Sequence, residues 1–144
     1  MPKNKKIRLV IDANIWVSTL LTPRFHSRTD AFFDSEYRIM FSEELFGELH
    51  NAVRKPHLAK RINQTSYEAL VSVLRRNSEL VDVSSVVEAC RDSKDNFLLA
   101  LAKDGDADYL ITGDLDLLTM QEFGNTKIVT LSKFETVTKQ DRNF

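Results

Sequence analysis

Five short apolar runs, each followed by a stretch of helical periodicity, limit what this chain can fold into more than any other feature. Ile7-Arg8-Leu9-Val10-Ile11, Tyr37-Arg38-Ile39-Met40-Phe41, Leu80-Val81-Asp82-Val83, Tyr109-Leu110-Ile111-Thr112 and Ile128-Val129-Thr130 read as strands. Between them, apolar residues recur at helical spacing. Ile15, Trp16, Val17, Leu20 and Leu21 form one such stripe, stopped by Pro23, and a helix carrying Ala31, Phe32 and Phe33 follows. Leu45, Leu49 and Val53 form another, with Ser42 as N-cap, Glu43 and Glu44 in the first turn, and Pro56 at its end. Thr65-Ser66-Tyr67-Glu68 has the capping-box pattern ahead of Leu70, Val71 and Leu74. Asp92 or Ser93 can cap the helix of Phe97, Leu98, Leu101 and Ala102, which Gly105 closes, and Ser132 can cap a last helix through Phe134 and Val137.

Strands this short and apolar, alternating with helices, imply a mostly parallel five-stranded sheet covered on both faces, a three-layer α/β/α domain. The 144 residues suffice for one such domain, 1–144, with a basic tail at 1–6 and a polar tail at 139–144. A single cysteine, Cys90, allows neither an intrachain disulfide nor a Cys-based zinc site. With no secretory signal and no run of about 18 apolar residues, a cytoplasmic protein is expected, with no membrane partner.

The formal net charge is −1, which by itself argues against a basic nucleic-acid binder. The average hides an asymmetry. Residues 1–72 carry 11 basic and 8 acidic side chains, and residues 73–144 carry 9 and 13. Between Asp92 and Asp116 there are seven Asp against Lys94 and Lys103.

The acids fall where an open parallel sheet forms its sites, beyond the carboxyl ends of its strands. Asp12 ends the first strand, Glu48 lies on the helix leaving the second, Asp95 opens the helix after the third, and Asp114 and Asp116 follow the fourth. Singly, each reads as a cap, a turn former or a solvated helix face. Together, four carboxylates about 5 Å apart would repel by about 3 kcal/mol per pair at an effective dielectric near 20. Protons or cations must offset that. Oxygen ligands without His or Cys suit Mg²⁺ or Mn²⁺, one or two ions. His26, His50 and His57 match no ligand spacing.

These residues resemble the PIN-domain family. Ile11-Asp12-Ala13-Asn14 is similar to its opening motif, Ser42 with Glu48-Leu49 to its second, Asp95-Asn96-Phe97-Leu98-Leu99-Ala100-Leu101-Ala102 to its third, and Thr112-Gly113-Asp114-Leu115-Asp116 to its fourth. The group most resembled is the bacterial PIN proteins described as toxins of toxin–antitoxin pairs. The resemblance implies sheet order 3-2-1-4-5, with Asp12 beside Asp114, and a metal-dependent endoribonuclease. Asp12, Glu48, Asp95 and Asp114 would be its catalytic acids, with Asp12, Asp114, Asp95 and Asp116 on the metal and Asn14, Ser42 and Thr112 as polar supports. Asp92 stands as the alternative to Asp95, and Glu44 to Glu48. Gly113 departs from the family, where Asn is common before the Asp. The resemblance further implies RNA as substrate, an antitoxin protein as possible partner and a homodimer.

Among the basic side chains, Arg24 and Arg28, which follow the first helix, are favoured for RNA phosphate because they are expected near the active edge of the sheet. Arg54, Lys55, Lys60, Arg61, Arg75 and Arg76 read as solvated faces. Trp16, Phe32 and Phe33 read as core or dimer contacts. An Asp-based phosphatase would want Asp-x-Asp after the first strand, and Asn14 stands in the third position. A non-catalytic PIN module that only binds protein or RNA remains the main alternative, against which the intact acid set counts.

Overall fold

The computed structural model describes residues 5–22 and 29–142, with side chains as far as Thr138. Arg24 and Arg28 lie outside these residues. Six strands form one sheet in the order β3-β2-β1-β4-β6-β5, within a three-layer α/β/α domain. β1 (Ile7–Ile11) is central and parallel to β2 (Tyr37–Phe41) and β4 (Tyr109–Ile111). β3 (Ser78–Leu80) extends the sheet beyond β2, and β6 (Thr126–Val129) extends it beyond β4, both parallel. These are the five expected strands in the expected order.

The sixth, β5 (Glu122–Phe123), pairs antiparallel with β6 at the edge. Two residues carry no readable periodicity. The signal lay instead in the two-residue connection Gly124-Asn125, where Gly124 takes φ 57°, as tight hairpin turns require.

The third strand starts two residues earlier than its apolar run. Register decides this: Ile39 pairs with Ser78 and Phe41 with Leu80. Val81 N still donates to Phe41 O at 2.7 Å. Beyond Phe41 the neighbouring chain turns into a helix, so Asp82 and Val83 have no strand to pair with.

The helices are α1 (Ala13–Leu21), α2 (Glu43–Val53), the single turn α3 (Pro56–Ala59), α4 (Gln64–Asn77), α5 (Asn96–Asp104), the single turn α6 (Leu115–Leu118) and α7 (Leu131–Arg142). Pro56 opens α3, where its missing N–H costs nothing. α4 is capped by Asn63, whose Oδ1 accepts from Ser66 N at 3.1 Å, and the Thr65 capping box is not used. Thr130 Oγ1 accepts from Lys133 N at the start of α7. Ala31–Phe33 is one 3₁₀ turn, ended by extended backbone at Asp34. α7 reaches Arg142, so most of the expected polar tail is helix.

The core is continuous across the sheet. Leu9, Val10 and Ile11 of β1, Leu110 and Ile111 of β4, and Leu98, Leu99 and Leu101 of α5 are all buried. Trp16 is fully buried and meets Phe32 and Phe33 at 6.0 Å, which assigns it to the core. Phe134 of α7 gathers Phe32, Tyr37 and Tyr109 within 5.9 Å.

α5 ends against the sheet at Gly105. A Cβ there would stand 2.9 Å from Leu101 O and 3.4 Å from Met40 and Val81. Gly105 O also accepts from Arg8 Nε at 2.8 Å, and the same guanidinium binds Glu79 on β3 at 2.7 Å. Gly105→Ala should therefore destabilise by about 1–3 kcal/mol through overpacking against a backbone oxygen. A urea midpoint equal to that of the native chain would refute this account.

Candidate active site

The parallel register of β1 and β4 pairs Ile11 with Ile111, so Asp12 and Thr112 leave the sheet side by side. Asp12 N donates to Ile111 O at 2.9 Å and Thr112 N to Val129 O at 3.0 Å, which fixes both backbones. Thr112 Oγ1 then donates to Asp12 Oδ2 at 2.7 Å and accepts from Asp114 N at 3.1 Å. Asp114 Oδ1 accepts from Asp116 N at 2.8 Å and so caps α6. Asp12 Oδ1 accepts from Asn14 N at 3.3 Å and caps α1. One hydroxyl thus ties the two cap aspartates together.

Asp95 arrives from a third connection. Asp92 accepts from Lys94 N at 3.1 Å and caps the 3₁₀ turn Ser93–Asp95 that leads into α5. The turn carries Asp95 next to Asp114. Asp92 thus caps its own turn, and Asp95 lies against Asp114. Asp95 Oδ2 is buried and has no hydrogen-bond partner.

The electrostatics follow from this crowding. Burial, the contact with Asp114, and the charges of Asp92 and Asp12 push Asp95 up to about 7. Burial also raises Asp12, opposed by its bonds from Thr112 and Asn14, and Asp114 adds to the rise. Cys90 lies beside the same group. Burial raises its thiol, and Asp95, Asp114 and Asp116 each add to the effect. Its backbone N donates to Asn96 Oδ1 at 2.8 Å, a contact that no spacing or motif along the chain signals.

Three of the four expected catalytic acids therefore come together, with Asp116 beside them. Glu48 is exposed on α2, and Glu44 is exposed one turn earlier. Glu48 is not among the main charges felt by Asp95 or Asp12. Ser42 is buried and its Oγ accepts from Leu45 N at 3.1 Å, so it serves as a cap. Asn14 is exposed and closes the Asp12 cap through its backbone.

Among the described residues, no three His, Cys, Asp or Glu side chains stand close enough to cage a metal ion as they are. The donor chemistry nevertheless fits a hard divalent cation. It consists of carboxylates and a hydroxyl, it holds a buried oxygen without a partner, and its charges disfavour one another.

With this geometry in place, comparison with known proteins is informative. Residues 8–116 match the PIN domain, and the chain belongs to that family. Its members are generally nucleases and generally use divalent metals. An uncharacterized protein of Methanocaldococcus jannaschii is 26% identical over 120 residues, covering 81% of this chain and 77% of that one. The fold is similar to a chain in the crystal structure of VapBC2 from Rickettsia felis bound to a DNA fragment from their promoter. The TM-score is 0.52 at 14% identity, covering 85% of this chain and 97% of that one. Among the described residues, no helix is long and apolar enough to cross a membrane.

Two predictions follow from these bonds. Folded Asp95 keeps its proton to about 7, while the unfolded chain releases it near 3.8. The folded state then binds more protons between those values, so without divalent metal its stability should fall as pH rises through that window. In urea titrations with EDTA, Asp95→Asn should flatten that slope, and an unchanged slope would remove Asp95 as its source. Thr112→Val should cost about 1–3 kcal/mol, since it strips the buried Asp12 of its donor, while Thr112→Ser should keep most of the stability. Equal midpoints for the two variants would show that the hydroxyl contributes nothing.

Proposed function

We propose that this chain is a divalent-metal-dependent endoribonuclease that hydrolyses RNA phosphodiester bonds, and that it is the toxin of a toxin–antitoxin pair. The observation that carries the reading is the crowding of Asp12, Asp95 and Asp114 at the carboxyl ends of the strands, with Asp95 Oδ2 buried and without a hydrogen-bond partner. The likeness in fold to the VapBC2 structure supports the toxin assignment and, with it, an antitoxin protein partner.

In this reading, Asp12, Asp95 and Asp114 would hold one or two Mg²⁺ or Mn²⁺ ions, with Asp116 accessory. A bound divalent ion supplies an acidified water and neutralises charge on the phosphate. The chain's own residues do the positioning. Thr112 holds Asp12 by its hydroxyl and Asp114 by its oxygen. The caps of α1 and α6 hold Oδ1 of each aspartate by a backbone N–H, and Thr112 holds Asp12 Oδ2, so Asp12 would ligate through the remaining lone pairs of its bonded oxygens. Glu48 would complete the acid set from α2, with Ser42 fixing the start of that helix and Asn14 flanking Asp12. Arg24 and Arg28 would hold RNA phosphate. A cytoplasmic homodimer completes the proposal.

Asp12→Asn separates the cap from the metal site, because Asn caps as well as Asp. The variant should match or exceed native stability in EDTA, since a buried charge is removed. In Mn²⁺ it should lose at least 100-fold of the cleavage rate on a single-stranded RNA. Mn²⁺ should raise the melting temperature of the native chain and leave that of the variant unmoved. Cleavage at the native rate by an identically purified variant would end the catalytic reading and favour a binding-only PIN module.

A further inference from the structure

A long basic run of the chain lies away from the aspartates. From Leu49 to Tyr67 there are four Lys or Arg, namely Arg54, Lys55, Lys60 and Arg61, and no Asp or Glu. All four are exposed. None is in an ion pair among the described residues, whereas Arg8, Arg38 and Arg75 bind Glu79 or Glu43. A merely solvated helical face ordinarily intersperses both signs, and this one does not.

The run folds around a cleft of about 490 Å³ between α2, α3 and α4, lined by His50, Val53, Arg54, Ile62, Gln64 and Tyr67. Its polar groups form a directed chain. Arg54 Nη1 lies 3.1 Å from His50 Nε2, and His50 Nδ1 lies 3.3 Å from Tyr67 Oη. A guanidinium can only donate, so His50 Nε2 accepts and the ring proton sits on Nδ1. That proton goes to Tyr67 Oη, which leaves the Tyr67 O–H free to donate in turn. Gln64 Nε2 is engaged by Glu68 at 3.3 Å. The cleft therefore offers an arginine and a tyrosine hydroxyl as donors, and three further exposed cations, Lys55, Lys60 and Arg61, flank its lining residues in the chain. Such a site suits an anion with several acceptor oxygens, and its volume suits one nucleotide unit.

We propose that this cleft binds the phosphodiester backbone of single-stranded RNA at a point remote from the aspartates. The proposal rests on the RNA reading given above. α2 carries Ser42 at its acid-facing start and Arg54 at its far end, and eleven residues of helix separate them by about 16 Å. The bound strand would thus be held several nucleotides from the bond to be cut.

The test is fluorescence anisotropy of a labelled 20-nucleotide single-stranded RNA in EDTA, across a salt series. The native chain is compared with Arg54→Gln/Lys60→Gln/Arg61→Gln and with the equal-charge control Lys103→Gln/Lys127→Gln/Lys133→Gln. Far-UV circular dichroism checks folding, which exposed substitutions should leave intact. The cleft variant should bind at least tenfold more weakly, and the slope of log K against log salt should fall by about 2. The control should change by less than threefold. Tyr67→Phe should lose about fivefold with no change in slope. Equal losses in cleft variant and control would reduce the effect to net charge and overturn the cleft. So would unchanged RNA binding in the cleft variant, or loss of polyglutamate binding with RNA retained, which would mark an acidic protein as the occupant. If the native chain binds no RNA, both the cleft and the RNA reading fail. If it cleaves RNA in Mn²⁺ while the cleft variant binds normally, only the cleft fails.

Discussion

The contact between Thr112 and Asp12 is the one on which the site depends. Asp12 is a carboxylate at the end of the central strand, almost out of water, and an unpaired charge there would be strongly unfavourable. The pairing of Ile11 with Ile111 supplies the remedy by setting Thr112 in register beside it. A shift of one residue would turn the threonine to the opposite face and leave the carboxylate without its donor. Because the same oxygen accepts from Asp114 N, the bond also fixes the next acid. Packing of the apolar strands thus determines the spacing of the charged groups, although none of those groups lies within the strands.

That dependence explains how much was legible in the sequence. The strands and the acids at their ends follow from alternation and periodicity, which Ile7–Ile11 and Tyr109–Ile111 carry plainly, and the strand order followed from the family resemblance. Details set by partners did not show. Val81 and Val83 look like strand, but β3 is fixed by where β2 stops, at Phe41. Thr65-x-x-Glu68 has the right letters for a cap, yet Asn63 two residues earlier satisfies the same end of α4. Cap chemistry is local and degenerate, so neighbouring candidates compete and only the backbone path decides.

The acids show the same limit. Spacing to the Ala-rich helix favoured Asp95 and kept Asp92 as the alternative, but it did not show the extra 3₁₀ turn, which places Asp92 Oδ1 on Lys94 N and brings Asp95 next to Asp114. For Glu48 the sequence motif is as good as for the aspartates, but its side chain is exposed on α2, whereas Asp12 is buried. What a side chain meets from a neighbouring element is a property that no pattern of residues along the chain encodes.

The formal charge of −1 then looks like a sum over two separated populations. The aspartates gather at the carboxyl ends of the strands, and Arg54, Lys55, Lys60 and Arg61 cluster at the far end of α2. An enzyme acting on a polyanion needs both, acids to recruit a cation and bases to hold phosphate. Placed together, they would neutralise each other as ion pairs. About 16 Å of helix exceeds the Debye length of about 8 Å at physiological ionic strength, so the two fields act nearly independently. One divalent ion at the acids would bring the total to +1 without weakening the basic cleft. The near-neutral composition that seemed to argue against nucleic acid is what such a division of charge produces.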